Sequence, residues 1–133
     1  MTASKGGWAF WGRTATLFAL AVVGVAGFAG SRRFMRFEVS GASMEPAFRD
    51  GDWLIVDRAA CRARSPQVGE VVVVRDPELA TRWLVKRVSR VEADGRLDVR
   101  GDNAAESRDS RAFGPVAISA VEGRVRWRYW RGL

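Results

Sequence analysis

Hydrophobic and polar positions divide the chain into two unlike parts. Between Thr14 and Gly30 (TATLFALAVVGVAGFAG) no residue is charged, and the run is apolar on every side of a helix. Its 17 residues span roughly 26 Å as a helix, near the lower limit for crossing a bilayer. Trp8, Phe10 and Trp11 precede it, as interfacial aromatics do, and Arg13, Arg32 and Arg33 bracket it. The pattern predicts a membrane anchor over 14–31, with 1–13 as its flank. A cleaved signal peptide competes, but the run is long for an h-region and Gly27-Phe28-Ala29 is a poor cleavage pattern. A buried soluble helix would be apolar all round in a very small protein. Lys5 and Arg13 on one side balance Arg32, Arg33 and Arg36 on the other, so charge does not orient the anchor.

Beyond the anchor the period changes to that of strands. Trp53–Val56 follows the turn Arg49-Asp50-Gly51-Asp52. Val71–Val74 is an unbroken valine run, the pattern of a strand buried on both faces. Trp83–Val91 and Leu97–Arg100 flank a hairpin turn at Ala93-Asp94-Gly95-Arg96. Val121–Trp130 sets Arg124, Arg126 and Arg128 against Val125, Trp127 and Tyr129, which predicts an edge strand with one solvated basic face. The fold class expected is mainly β: a compact antiparallel domain of bent sheets behind one N-terminal transmembrane helix.

Composition then restricts the chemistry. The 133 residues include no histidine and a single cysteine, Cys61. That excludes a Ser-His-Asp or Cys-His pair and the usual zinc sites, and Cys61 alone forms no internal disulfide. Neither a metal nor a cofactor is expected. The net charge is +7, and of 22 basic residues only Lys5 and Lys86 are lysines. No basic run is interleaved with a nucleic-acid motif, so nucleic acid is not an expected partner.

Three stretches carry candidate chemistry. In Ser40-Gly41-Ala42-Ser43-Met44-Glu45-Pro46, Gly41 permits close backbone approach and Pro46 restrains the chain after Met44. A serine there is ordinarily a turn residue, yet its hydroxyl and own N–H could also serve an acyl-transfer nucleophile and its oxyanion donor. In Trp83-Leu84-Val85-Lys86-Arg87-Val88, strand alternation places Lys86 between Leu84 and Val88 on one face. The bland reading is a snorkelling lysine at a sheet edge. Lysine, unlike arginine, can lose its proton when desolvated. An ordinary lysine is neutral about once in 2,500 at pH 7, and one with a pKa near 8 about once in ten. The third stretch runs Gly101-Asp102-Asn103, Ser107-Arg108-Asp109-Ser110-Arg111 and Phe113-Gly114-Pro115-Val116. It reads either as a polar loop, or as a place where Ser107 bonds a lysine amine while Asp109 and Arg111 pair.

Together these stretches resemble the type I signal peptidase family, membrane-bound serine proteases with a Ser/Lys dyad. The resemblance runs from about Phe37 to Tyr129. Ser43-Met44-Glu45-Pro46 matches the nucleophile box. Gly51-Asp52 with Leu54-Ile55-Val56, and Gly69-Glu70-Val71-Val72, match the intervening strand boxes. Lys86-Arg87-Val88 matches the general-base box, and Gly101-Asp102-Asn103 with Ser107, Asp109, Ser110 and Arg111 matches the last. The resemblance implies Ser43 as nucleophile, Lys86 as base, Ser107 orienting Lys86, and Asp109 and Arg111 supporting the site. Gly41, Met44 and Asp102 complete the expected supporting set. It also implies a peptidase domain over 37–130.

Three features mark a branch. Gly41 stands where some members carry a serine that helps the oxyanion hole. Only 14 residues separate Lys86 from Gly101, so the inserted β domain of longer enzymes is absent. Phe113-Gly114-Pro115-Val116 is similar to the mitochondrial inner-membrane protease and small actinobacterial branches, one of which is associated with maturation of nickel-containing superoxide dismutase. The implied activity is removal of N-terminal signal or pro-peptides from precursor proteins, with the lipid bilayer as second partner. The implied place is the plasma membrane, catalytic domain outside the cytoplasm. A single-client maturation protease, a self-cleaving repressor-type Ser/Lys peptidase and a non-enzymatic membrane-tethered β module are the alternatives.

Overall fold

The computed structural model describes residues 32–131. The anchor expected over 14–31 and its flank 1–13 lie outside the described residues. Among the described residues no helix is long and apolar enough to cross a membrane.

Six strands form one antiparallel sheet: β1 (Phe34–Glu38), β2 (Trp53–Asp57), β3 (Val71–Arg75), β4 (Trp83–Val91), β5 (Leu97–Arg100) and β6 (Val121–Trp130), in the order β1-β2-β6-β3-β4-β5. Two one-turn helices, α1 (Ala60–Ala63) and α2 (Ser110–Phe113), lie in the connections. The bent sheets expected are therefore strands of a single open sheet. β1 carries no strand signal in the sequence beyond its flanking residues. Its exposed–half-buried alternation arises from pairing with β2, with Phe37 opposite Leu54.

The valine run behaves as its pattern predicts. Val71 and Val73 enter a core with Val39, Met44, Leu54, Val56 and Val85. Val72 and Val74 enter another with Leu84, Val88, Leu97, Val99 and Val116. One strand thus serves two cores because successive side chains leave opposite faces. The β4–β5 hairpin closes at Glu92–Arg96, where the Glu92 N–H donates to the Arg96 carbonyl at 2.8 Å.

β6 departs from expectation. Its first part, Val121–Arg124, lies between β2 and β3, while among the described residues Val125–Trp130 pairs with β2 alone; of its arginines Arg124 is buried, Arg128 half-buried and Arg126 exposed. Arg124 is only 4% exposed. Arg126 lies 3.1 Å from Asp57 and Arg128 3.2 Å from Asp52, and both carboxylates are buried. The large exposed side chains of this strand are Trp127, Tyr129 and Trp130. Alternation shows that two faces differ. Which face meets water depends on the acidic residues that neighbouring segments supply, here Asp52, Asp57 and Glu70.

Candidate active site

The site is built from three segments that the sheet brings to one cavity. The turn after β1 contributes Ser40–Met44, the first half of β4 contributes Arg82–Lys86, and the loop after β5 contributes Glu106 and Arg108. Phe37, Glu38 and Val39 complete the lining of a cavity of about 390 Å³. Ser43 and Lys86 therefore face one space although 43 positions apart in the chain.

The Ser43 turn is held on both sides. Met44 is fully buried in the first core and anchors the turn from below. Gly41 has φ +88°, and its N–H donates to Asp50 at 2.7 Å. A side chain built at Gly41 would meet nothing within 4 Å. The expectation of close backbone approach there is thus corrected: Gly41 is required by left-handed backbone, not by crowding. Close approach occurs instead at Gly101. A Cβ there would lie 2.5 Å from the Ser43 carbonyl oxygen and 2.6 Å from the Ser107 Cβ. The loop can touch both Ser43 and Ser107 only because Gly101 has no side chain.

Lys86 sits opposite Val72 in the β3–β4 register, on the face of Leu84 and Val88, and is 2% exposed. The snorkelling alternative does not hold, because the amine is buried with the stem. Its Nζ donates to Ser107 Oγ at 3.0 Å. Burial lowers the Lys86 pKa from its ordinary value; Asp109 opposes this, while the cationic Arg82, Arg111 and Arg108 reinforce it.

Ser107 in turn donates to Asp109 Oδ2 at 2.6 Å. Asp109 is fully buried and also accepts from the Gly101 N–H at 2.9 Å, the Arg111 N–H at 3.1 Å and the Arg111 guanidinium at 2.6 Å. Burial alone would raise the Asp109 pKa. The hydrogen bonds from Arg111, Ser107 and the two backbone N–H groups outweigh it and leave the carboxyl well below its usual range. The Lys86–Ser107 contact and the Asp109–Arg111 pair are those expected from the sequence; the Ser107–Asp109 bond that joins them was not anticipated. Asp102 is different: it stands on the surface and takes a two-pronged pair from Arg87 at 2.9 and 2.8 Å. Arg87 also donates to the Gly69 carbonyl at 2.8 Å, so Asp102 ties the loop to β4 rather than to Lys86.

The Ser43 hydroxyl has no hydrogen-bond partner among the described residues. Two features escaped the sequence reading. Asn103 bonds the Ser43 turn directly, and the only available signal was its place after Gly101-Asp102. The lining by β1 residues could not be read, because nothing local brings β1 near β4.

Among the described residues the cavity also lies between two strand edges without neighbours: there β1 pairs only with β2, and β5 pairs with β4 only from Arg87 onward, leaving Trp83–Lys86 open on that side. An extended peptide has main-chain partners available along both edges.

The family model described as signal peptidase, peptidase S26 matches residues 11–94 and 89–130. Mitochondrial ATP-independent inner membrane protease subunit 1b of Arabidopsis thaliana is 36% identical over 112 residues, covering 68% of this chain and 66% of that protein. Mitochondrial inner membrane protease subunit 1 of Xenopus tropicalis is 31% identical, with the same two coverages of 68% and 66%. The Schizosaccharomyces pombe subunit 1 is 32% identical over 133 residues, covering 84% of this chain and 85% of that protein. The chain thus spans about two thirds of the first two relatives' length. A family model matched over nearly all of the chain places this protein in the signal peptidase family, peptidase S26.

Proposed function

We propose that this chain is a membrane-bound serine endopeptidase that removes N-terminal signal or pro-peptides from precursor proteins with a Ser43/Lys86 dyad. The observation that carries this reading is the state of Lys86. It is buried in the cavity that Ser43 lines, and its amine rests on a hydroxyl rather than on a carboxylate. A buried amine without a direct anionic partner is the kind of lysine that gives up its proton near neutral pH.

In the proposed reaction, neutral Lys86 takes the Ser43 proton as Oγ bonds to the scissile carbonyl carbon. Negative charge collects on the carbonyl oxygen, where the Ser43 N–H stabilises it. Protonated Lys86 then gives its proton to the leaving amine as the C–N bond breaks. Water enters, loses a proton to Lys86 and attacks the acyl-enzyme. Expulsion of Ser43, reprotonated by Lys86, regenerates the site. Ser107 holds the amine, and Asp109 with Arg111 holds Ser107. The substrate lies extended between the open edges of β1 and β4, adding a strand to each. The segment 14–31 is proposed as a single-pass anchor for a peptidase domain over 37–130. The inner-membrane names of the relatives support attachment to a bilayer.

The test uses the full chain purified in detergent and a precursor bearing its N-terminal presequence. Wild-type protein should produce one new N-terminus, and Ser43→Ala should produce none while keeping the wild-type melting temperature. Cleavage by Ser43→Ala near the wild-type rate would remove Ser43 from the reaction.

A further inference from the structure

The loop after β5 reaches both proposed reacting groups through different atoms. Ser107 holds Lys86. Asn103 holds the turn that carries Ser43: its backbone N–H donates to the Ser43 carbonyl at 2.9 Å, and its side-chain Nδ2 donates to the Ala42 carbonyl at 3.2 Å. One residue therefore occupies two successive carbonyls, those of the peptide units on either side of the Ser43 Cα.

The consequence follows from peptide geometry. In a trans peptide the C=O and the next residue's N–H point in opposite directions. The Ala42 carbonyl and the Ser43 N–H belong to one such unit. The Ala42 oxygen also accepts from the Glu45 N–H at 3.2 Å, and the Asn103 amide is its second donor; held by both, that oxygen leaves the Ser43 N–H pointing the other way. That N–H donates to no described residue, so it remains open to an oxyanion. The second bond restrains the Ser43–Met44 unit and with it the Cα from which the hydroxyl projects. Asparagine suits this task because its side chain adds a donor close to its own backbone N–H. Aspartate has the same shape but would set a negative oxygen against the Ala42 carbonyl.

We propose that Asn103 is a positioning residue that aims the Ser43 N–H at the developing oxyanion by holding the Ala42 and Ser43 carbonyls. The proposal rests on the reading of Ser43 as nucleophile. The mutable part is the Nδ2 bond, since any residue but proline keeps the backbone one.

The test compares wild type, Asn103→Ala and Asn103→Asp as full chains in detergent. Steady-state cleavage of a presequence peptide and amide hydrogen exchange of residues 40–46 are measured on each. Exchange reads the hold on the turn without any turnover. Loss of a whole oxyanion donor costs about 10²–10³-fold in kcat, so a misaimed one should cost about tenfold in the alanine variant and more in the aspartate variant. KM should stay within about twofold, the midpoint of the rise in rate with pH should not move, and exchange at 40–46 should quicken. A raised KM with unchanged kcat would overturn the proposal, because Asn103 would then be binding substrate. A fall in kcat matched by an equal fall in folded fraction would also overturn it. If wild type cleaves nothing, the protease reading fails. If exchange at 40–46 is the same in all three proteins, the hold on the turn fails, whatever the turnover.

Discussion

Two basic side chains are buried in the middle of this sheet, and their surroundings differ. Arg124 on β6 is 4% exposed, and its Nε lies 3.1 Å from Glu70 Oε2 while Nη2 donates to the Arg64 carbonyl at 3.0 Å. Lys86 on β4 is 2% exposed and has a serine hydroxyl at 3.0 Å, with the carboxylate of Asp109 one residue further back. Burial penalises charge at both places. At Arg124 a carboxylate at ion-pair distance compensates, although the buried Nε–H makes no hydrogen bond to it, and arginine as a residue type keeps its proton. At Lys86 the compensation is indirect, and burial prevails over the pull of Asp109. On the proposed reading, a buried cation is structural where a carboxylate lies beside it, and available for proton transfer where a neutral group stands between.

The sharpest way to break this contrast is to exchange the two residue types. Lys86→Arg should lower precursor cleavage by ~10³-fold or more while the protein stays folded, since a guanidinium cannot act as a base. A rate above a tenth of wild type in a detergent assay would mean that another group is the base. The wild-type rate should rise with pH through the lowered Lys86 pKa, because in the proposed reaction only the neutral amine accepts the Ser43 proton.

Removing the carboxylate behind the lysine comes next. Asp109→Ala leaves the buried Gly101 N–H, the Ser107 hydroxyl and the Arg111 guanidinium without their common acceptor, and should cost about 3 kcal/mol by urea denaturation, with activity lost as well. Unchanged stability with lost activity would give Asp109 a direct part in the reaction. The sign with pH is definite. The folded pKa of Asp109 lies below its ordinary value of 3.8, so its contribution is present above that value and is lost as pH falls below it.

Ser107→Ala sharpens the comparison from the other side. It removes the neutral intermediary but leaves Asp109 paired with Arg111. Cleavage should fall by roughly 10²-fold, within the range set by a positioned base, with little change in melting temperature. A loss of stability as large as that of Asp109→Ala would make Ser107 a structural residue.

Stability against pH distinguishes the two cations without any substrate. The folded pKa of Lys86 lies below its ordinary value of 10.5, so between the two values the unfolded chain binds the proton more tightly. Stability should therefore rise with pH across that window, and Lys86→Met should abolish the rise. A rise that persists in Lys86→Met must come from another group.

The smallest effect is expected at the structural cation. Arg124→Lys shortens the donor fork and should cost about 1–2 kcal/mol, with cleavage by the folded protein unchanged. A loss of activity at full folding would show that β6 reaches the site.

Strand signals at Trp53–Val56, Val71–Val74, Trp83–Val91, Leu97–Arg100 and Val121–Trp130 were legible because period-two alternation and turn residues are local properties. The single buried lysine in an arginine-rich domain was legible too, since one residue type was kept where the chain otherwise uses another. So was the Asp109–Arg111 pair, whose members lie two positions apart, whereas the Ser107–Asp109 bond came only with the structure. Other features were decided only by the tertiary structure. The strand β1 exists through its ladder with β2, and on β6 Arg124 is buried while Arg126 and Arg128 are ion-paired because Glu70, Asp57 and Asp52 arrive from distant segments. Gly41 and Gly101 look alike in sequence, yet one serves a positive φ and the other the contact of Ser43 with Ser107. Asn103 acquires its partners Ala42 and Ser43 from about sixty positions away. Local pattern reports what a residue prefers, while charge compensation, close approach and hydrogen-bond partners depend on which surfaces meet, and that is set by the order of strands in the sheet.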